Sequence, residues 1–324
     1  MTTDIAKAEL HCHLEGAAPP DLVRRLAARN DVALPDGLFT ADGGFAWTDF
    51  LGFLRAYDQA SACIRTPEDY RDVTYEYLVS CAAEGVIYVK LFSSPDHAAD
   101  AGMTYQDHLD GITQGIVDAR AETGIEGRII VTCVRHLGPE RGQVVAEQAV
   151  AHPSPYVVGF GMGGDENAYG LADFTRAFAI AYEAGLSCTV HAGEVRGPES
   201  IRDALEHLPV RRLGHGVRAI EDPALVEELA DRGIALEVCP GSNLALGVFD
   251  GPENHPLPRL LAAGVKVSLG SDDPPFFQTS IGREYARAHA DLGLDPATLR
   301  RITLMALDAA FIDDPLRREL KAKL

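Results

Sequence analysis

With 324 residues, 46% of them apolar, the chain can bury a large core as one barrel domain or as two smaller ones. Its 29 basic and 48 acidic side chains leave a net charge of -19, a surface that repels phosphate backbones and anionic lipid. A nucleic-acid or membrane-surface partner is therefore unexpected, and a small neutral substrate is favoured.

The N-terminal stretch Met1–Ala8 carries Asp4 and Lys7 and lacks the apolar run of a signal peptide, and no segment has the apolar length to cross a bilayer. Eight short apolar runs then recur along the chain: Ala8–His13, Val86–Phe92, Arg128–Val134, Val157–Met162, Ser187–His191, Arg212–His215, Ile234–Cys239 and Val265–Leu269. Between them lie amphipathic stretches with helix punctuation. Pro67–Glu84 starts after Thr66 and stops at Gly85; Pro223–Arg232 starts after Asp222 and stops at Gly233. Near-continuous apolar strands alternating with helices specify a parallel sheet covered on both faces, and eight such units predict an α/β fold closed as a (β/α)8 barrel. One hydrolase barrel over 1–324 is expected, with a helical insertion of roughly 17–66 after the first strand. Within it, Trp47–Tyr57 places Trp47, Phe50, Leu51, Phe53 and Leu54 at helical spacing, which serves core packing or a hydrophobic lid over the barrel mouth. The cysteines (Cys12, Cys63, Cys81, Cys133, Cys188 and Cys239) are scattered, with no Cys-x-x-Cys pair, as in a reduced cytoplasmic protein. Nothing in the sequence specifies an oligomeric state.

Polar residues gather where these runs end, the end at which barrel enzymes carry their active sites. The first run ends His11-Cys12-His13-Leu14-Glu15-Gly16. Residues two apart in a strand share a side, so both imidazoles face inward and Cys12 outward. A His-x-His pair alone is weak evidence for metal and is more often a pair of hydrogen-bonded core histidines. The fifth run ends His191-Ala192-Gly193-Glu194, the sixth Gly214-His215-Gly216, and the eighth is followed by Ser271-Asp272-Asp273-Pro274. Adjacent carboxylates at a barrel mouth are costly without a cation. Taken together, the four strand ends specify one metal site of His11, His13, His191 and Asp272 plus water. Three nitrogens and one oxygen suit a single five-coordinate Zn2+, although iron or cobalt fits the same donors. A two-metal site would need a bridging lysine on the fourth strand, and Val157–Met162 has none.

These motifs, with Gly164-Asp165-Glu166 and Cys239-Pro240-x-Ser242-Asn243, resemble the adenosine/adenine deaminase family of the amidohydrolase superfamily over nearly the whole chain. The resemblance implies zinc ligands at His11, His13, His191 and Asp272. It further implies a proton donor to purine N1 at Glu194, an imidazole orienting the attacking oxygen at His215, contact with N7 by Asp273, and contact with N3 by the Gly164 backbone. The reaction so implied is hydrolytic deamination at C6 of a 6-aminopurine, with adenosine or 2′-deoxyadenosine as the expected substrate. Two features depart from the adenosine branch. Glu15 stands where its members have an aspartate for the ribose 5′-hydroxyl, and Gly270-Ser271 stands in place of Asn-Thr. Glu15 resembles the branch acting on free adenine or other 6-aminopurines, so adenine and modified adenosines are the alternatives. An ester- or amide-cleaving amidohydrolase and a non-catalytic adenosine-binding relative are the readings of another class. The cytidine-type zinc deaminases are excluded, because their Pro-Cys-x-x-Cys is missing.

Overall fold

The computed structural model describes residues 4–324; positions 1–3, at the head of the N-terminal stretch considered above, lie outside the described residues. Eight parallel strands follow one another in sequence order: β1 (Lys7–His13), β2 (Val86–Ser93), β3 (Glu126–Val134), β4 (Val157–Gly163), β5 (Ser187–Ala192), β6 (Val210–His215), β7 (Ala235–Val238) and β8 (Lys266–Leu269). Helices between them cover the outer face, which is why the strands read as unbroken apolar runs. The expected (β/α)8 barrel is the observed architecture, with strand ends differing from the sequence reading by a residue or two. Beyond β8 the seam with β1 is clasped by backbone bonds, Asp272 N–H to the His11 carbonyl at 3.0 Å and His13 N–H to the Asp272 carbonyl at 2.9 Å. The residue that closes the barrel is thus itself a site carboxylate.

Helix punctuation acts as the residue types require. Thr66 and Asp69 form a reciprocal capping box at Pro67–Ala83, and Asp222 caps Pro223–Arg232 ahead of Gly233 at φ 65°. Between β1 and β2 lie helices Pro20–Arg29, Phe50–Ser61 and Pro67–Ala83. The apolar stretch Trp47–Tyr57 is only partly helical: Asp49 caps the helix at Phe50, and Trp47 precedes it, its indole N–H donating to the Phe276 carbonyl at 3.1 Å. Among the described residues no helix is long and apolar enough to cross a membrane. All six cysteines are free and buried.

Candidate active site

His11 and His13 point inward from the end of β1, His191 from β5, and Asp272 follows β8. One ligand atom from each lies within 4.8 Å of the others. Asp272 Oδ1 is 3.4 Å from Nε2 of both His11 and His13, and His13 Nε2 is 3.0 Å from His191 Nε2. Two donors each about 2.0–2.1 Å from one ion lie at most roughly 4.2 Å apart, so these spacings fit a shared zinc. The outer nitrogens agree. His191 Nδ1 donates to the Met162 carbonyl at 2.8 Å, and His11 Nδ1 meets Glu237 Oε2 at 2.8 Å, which turns both Nε2 lone pairs toward the centre. His11 Nε2 is buried with no hydrogen-bond partner, as a ligand atom awaiting a cation should be. Burial also pushes His13 down to about 3 and His191 well below the usual imidazole range, so both are neutral donors near pH 7. A second grouping of His215, Cys239 and Asp272 is less suited, because burial drives the Cys239 thiol well above its ordinary range.

Asp272 has φ 64° and His215 φ 57°, a left-handed conformation that costs a non-glycine residue about 1 kcal/mol or more and is held by the surrounding barrel. His215 Nε2 faces Glu194 Oε2 at 3.5 Å and Asp272 Oδ2 at 3.9 Å. Burial, then the charges of Asp272 and Glu166, raise the Glu194 carboxyl well above its ordinary range. Burial, then Asp272 and Glu194, do the same to Asp273, whose Oδ1 is buried without a partner. Asp272 goes the other way: burial opposes its charge, but His215, His11 and His13 together hold it well below the carboxylate range. The site therefore sets one carboxylate between two carboxylic acids, two proton donors facing a shared pocket. Gly16 permits the close approach of Asp273, since a Cβ there would fall 1.7 Å from its Oδ1. Gly164, at φ 97°, could not carry a side chain without striking His136.

The loop that bears Glu194 is tethered by Glu166. Its buried carboxylate accepts the backbone N–H groups of Gly193, Glu194, Val195 and Arg196 at 2.6–3.2 Å, and the Ser200 hydroxyl at 2.5 Å. Glu15 closes the far end of the pocket. Its Oε1 accepts from Ser93 Oγ at 2.6 Å, Ser94 N–H at 3.2 Å and Tyr70 OH at 3.4 Å, and its Oε2 from Tyr57 OH at 3.2 Å. All nine residues singled out in the sequence converge here. Eight line one pocket, and His11 lies beneath them at its floor.

The sequence reading missed the layer below. Glu237 on β7 holds His11 and lies 2.6 Å from Arg212 Nε (β6) and 3.6 Å from Lys90 Nζ (β2), all fully buried. Against its own burial, Lys90 and then Arg212, with the His11 bond, hold Glu237 below the usual range; burial pulls the Lys90 ammonium far down, so Arg212 is the counter-charge that persists. The available signal was a buried-strand charge, Lys90 in β2 and Glu237 in β7, with Arg212 beside Arg211 in β6.

A family model described as adenosine deaminase matches residues 6–324. A relative named adenine deaminase, from Chelativorans sp. (strain BNC1), is 51% identical over 320 residues, covering 99% of this chain and 98% of its own. The crystal structure of adenine deaminase from Arthrobacter aurescens superposes with a TM-score of 0.93 at 29% identity, covering 98% of both chains. That of an amidohydrolase from Burkholderia ambifaria with bound zinc gives 0.91 at 27% identity, covering 99% of this chain and 90% of the other. With a family match spanning nearly every residue and a relative above half identity over its full length, the chain belongs to the adenosine deaminase family, hydrolases that deaminate C–N bonds of cyclic amidines.

Proposed function

We propose that the protein is a zinc-dependent adenine deaminase, converting free adenine and water to hypoxanthine and ammonia. The observation that carries this reading is Glu15. Its carboxylate already accepts four hydrogen bonds, and Tyr57, one of the four donors, lines the same pocket. A free base offers what a nucleoside lacks, an imidazole N–H that the remaining lone pair of Oε2 can accept. Full-length relatives named adenine deaminase support the same choice. The expectation of adenosine as the preferred substrate accordingly gives way to its alternative.

In this reading His11, His13, His191 and Asp272 hold one zinc, which supplies a water of lowered pKa as nucleophile near neutrality. Glu194 delivers its proton to N1 as oxygen adds to C6, Asp273 donates to N7, and the Gly164 N–H meets N3. His215 orients the incoming oxygen. The C6–N6 bond then breaks, ammonia departs, and the oxo group stays on C6. The chain from 1 to 324 acts as one hydrolase barrel with 17–66 as its lid, a role supported by Phe50, Phe53, Leu54 and Tyr57 lining the pocket. The test is initial rate on adenine, adenosine, 2′-deoxyadenosine and N6-substituted purines, with metal content measured on the same sample. Adenine should be turned over at least about 10²-fold faster than adenosine, a difference of about 2.7 kcal/mol in transition-state binding. Faster turnover of adenosine would reverse the substrate assignment, and no turnover of any 6-aminopurine by zinc-replete protein would end it.

A further inference from the structure

Beyond the ring of residues that meet the substrate, one chain of hydrogen bonds has a direction that cannot be reversed. It begins at a backbone amide. Leu257 N–H points at His255 Nδ1 at 3.3 Å, and because an amide N–H can only donate, His255 Nδ1 must accept. The proton of a neutral His255 therefore sits on Nε2, which faces Asn243 Oδ1 at 3.3 Å. With its oxygen so engaged, Asn243 turns Nδ2 toward His215 Nδ1, also at 3.3 Å, and an amide nitrogen again only donates. His215 Nδ1 must accept, which leaves the proton on Nε2, the atom that faces Glu194 and Asp272. Asn243 and His255 are both buried, so no solvent hydrogen bond competes with the chain. Burial lowers His255 to about 4, in keeping with a neutral ring there.

We infer that Leu257, His255 and Asn243 form a one-way relay that fixes His215 as its neutral Nε2–H tautomer, making His215 a hydrogen-bond donor to the attacking oxygen and never the base that removes its proton. The inference rests on the deaminase reading for the identity of that oxygen, and adds Asn243 and His255 as positioning residues. It also reassigns a proton. As water oxygen bonds to C6 and the C6–N1 π electrons move to N1, N1 takes the Glu194 proton. The proton shed by the water goes to the ionised Asp272, the other group facing His215. On collapse the Asp272 proton leaves on N6 as ammonia, the C6 hydroxyl proton returns to Glu194, and the balance is adenine plus water to hypoxanthine plus ammonia. A ring with a bare Nε2 would instead point a lone pair at the ionised Asp272 carboxylate, which is repulsive.

The test is 15N NMR of the histidine-labelled, zinc-loaded protein, with the His215 signals identified by their absence from His215→Asn. The wild type should show a protonated Nε2 and a bare Nδ1. Asn243→Asp, which can only accept, should move a proton onto Nδ1 and lower kcat on adenine by about 10²-fold or more with KM and zinc content little changed. His255→Phe frees the amide to rotate and should give a mixture of tautomers with a several-fold loss. A protonated Nδ1 in the wild type overturns the relay, as does Asn243→Asp with an unaltered tautomer. Should Asn243→Asp not fold, the wild-type spectrum and His255→Phe decide alone. The spectrum is read without turnover, so failure of the relay is distinct from failure of the deaminase reading, which the wild-type rate on adenine reports.

Discussion

Replacing Glu194 with glutamine should lower kcat on adenine by about 10³-fold while moving KM by less than about threefold. The side chains have the same shape, and the amide N–H2 of glutamine can still hydrogen-bond to N1, so ground-state binding survives. What is lost is a transferable proton. Attack at C6 pushes charge onto N1, and only a carboxylic acid can neutralise it by proton transfer. Burial and the charges of Asp272 and Glu166 keep Glu194 in that acid form, well above the pH at which an ordinary glutamate ionises. The sign of the pH dependence follows. A group needed in its protonated form, with its pKa raised, leaves kcat/KM insensitive to it at neutral pH and costs activity as pH rises through that pKa. Because Glu194 also raises Asp273, the alkaline limb reports interacting carboxyls and not one residue alone. Steady-state kinetics on zinc-replete wild type and E194Q provide the check, and kcat within tenfold of wild type would remove Glu194 as the proton donor.

Those residues were legible because each lies where a short local pattern can be seen. His11 and His13 are two apart on one strand, His191 and Glu194 share a strand end, and Asp272 and Asp273 are adjacent. The barrel was legible for a similar reason: eight apolar runs with capped helices between them repeat a local rule. What the sequence concealed depends on contacts between distant strands. Lys90 and Glu237 each look like a single charge in an apolar run, Arg212 like half of an Arg-Arg pair, and only closure of the barrel sets them side by side. Glu166 stands in a motif matched to the family, but its partners are four amides of a loop after the next strand. Asn243 also lay in a matched motif, while its meaning depends on His255 and the Leu257 amide. The substrate was ambiguous on the same ground. Glu15 alone fits a sugar or a base, and the reading proposed above draws on Tyr57, Tyr70, Ser93 and Ser94, supplied by two helices and the end of β2.

The buried layer beneath the site yields the second large effect: Glu237→Gln should weaken zinc binding by about 10–100-fold and destabilise the metal-free protein by about 3 kcal/mol or more. Two separate consequences are combined in that change. For the metal, Glu237 Oε2 holds the His11 Nδ1–H and its negative charge makes the opposite nitrogen a stronger donor. Glutamine keeps an oxygen for that bond, so the ring stays oriented, but the charge that raises its basicity is gone. For the fold, Arg212 is buried against Phe311, with Nη1 on the Ala309 carbonyl and Nε 2.6 Å from Glu237. A guanidinium cannot shed its proton to escape the loss of its partner, whereas Lys90, already pulled far down by burial, can. The cost of the uncompensated charge therefore falls on Arg212. Chelator competition for zinc on apo-protein and urea unfolding of the same preparation separate the two consequences. Wild-type zinc affinity in a destabilised variant would confine Glu237 to neutralising Arg212. Unchanged unfolding with weakened zinc would confine it to His11, and no change in either would show that this charge layer supports neither the metal site nor the fold.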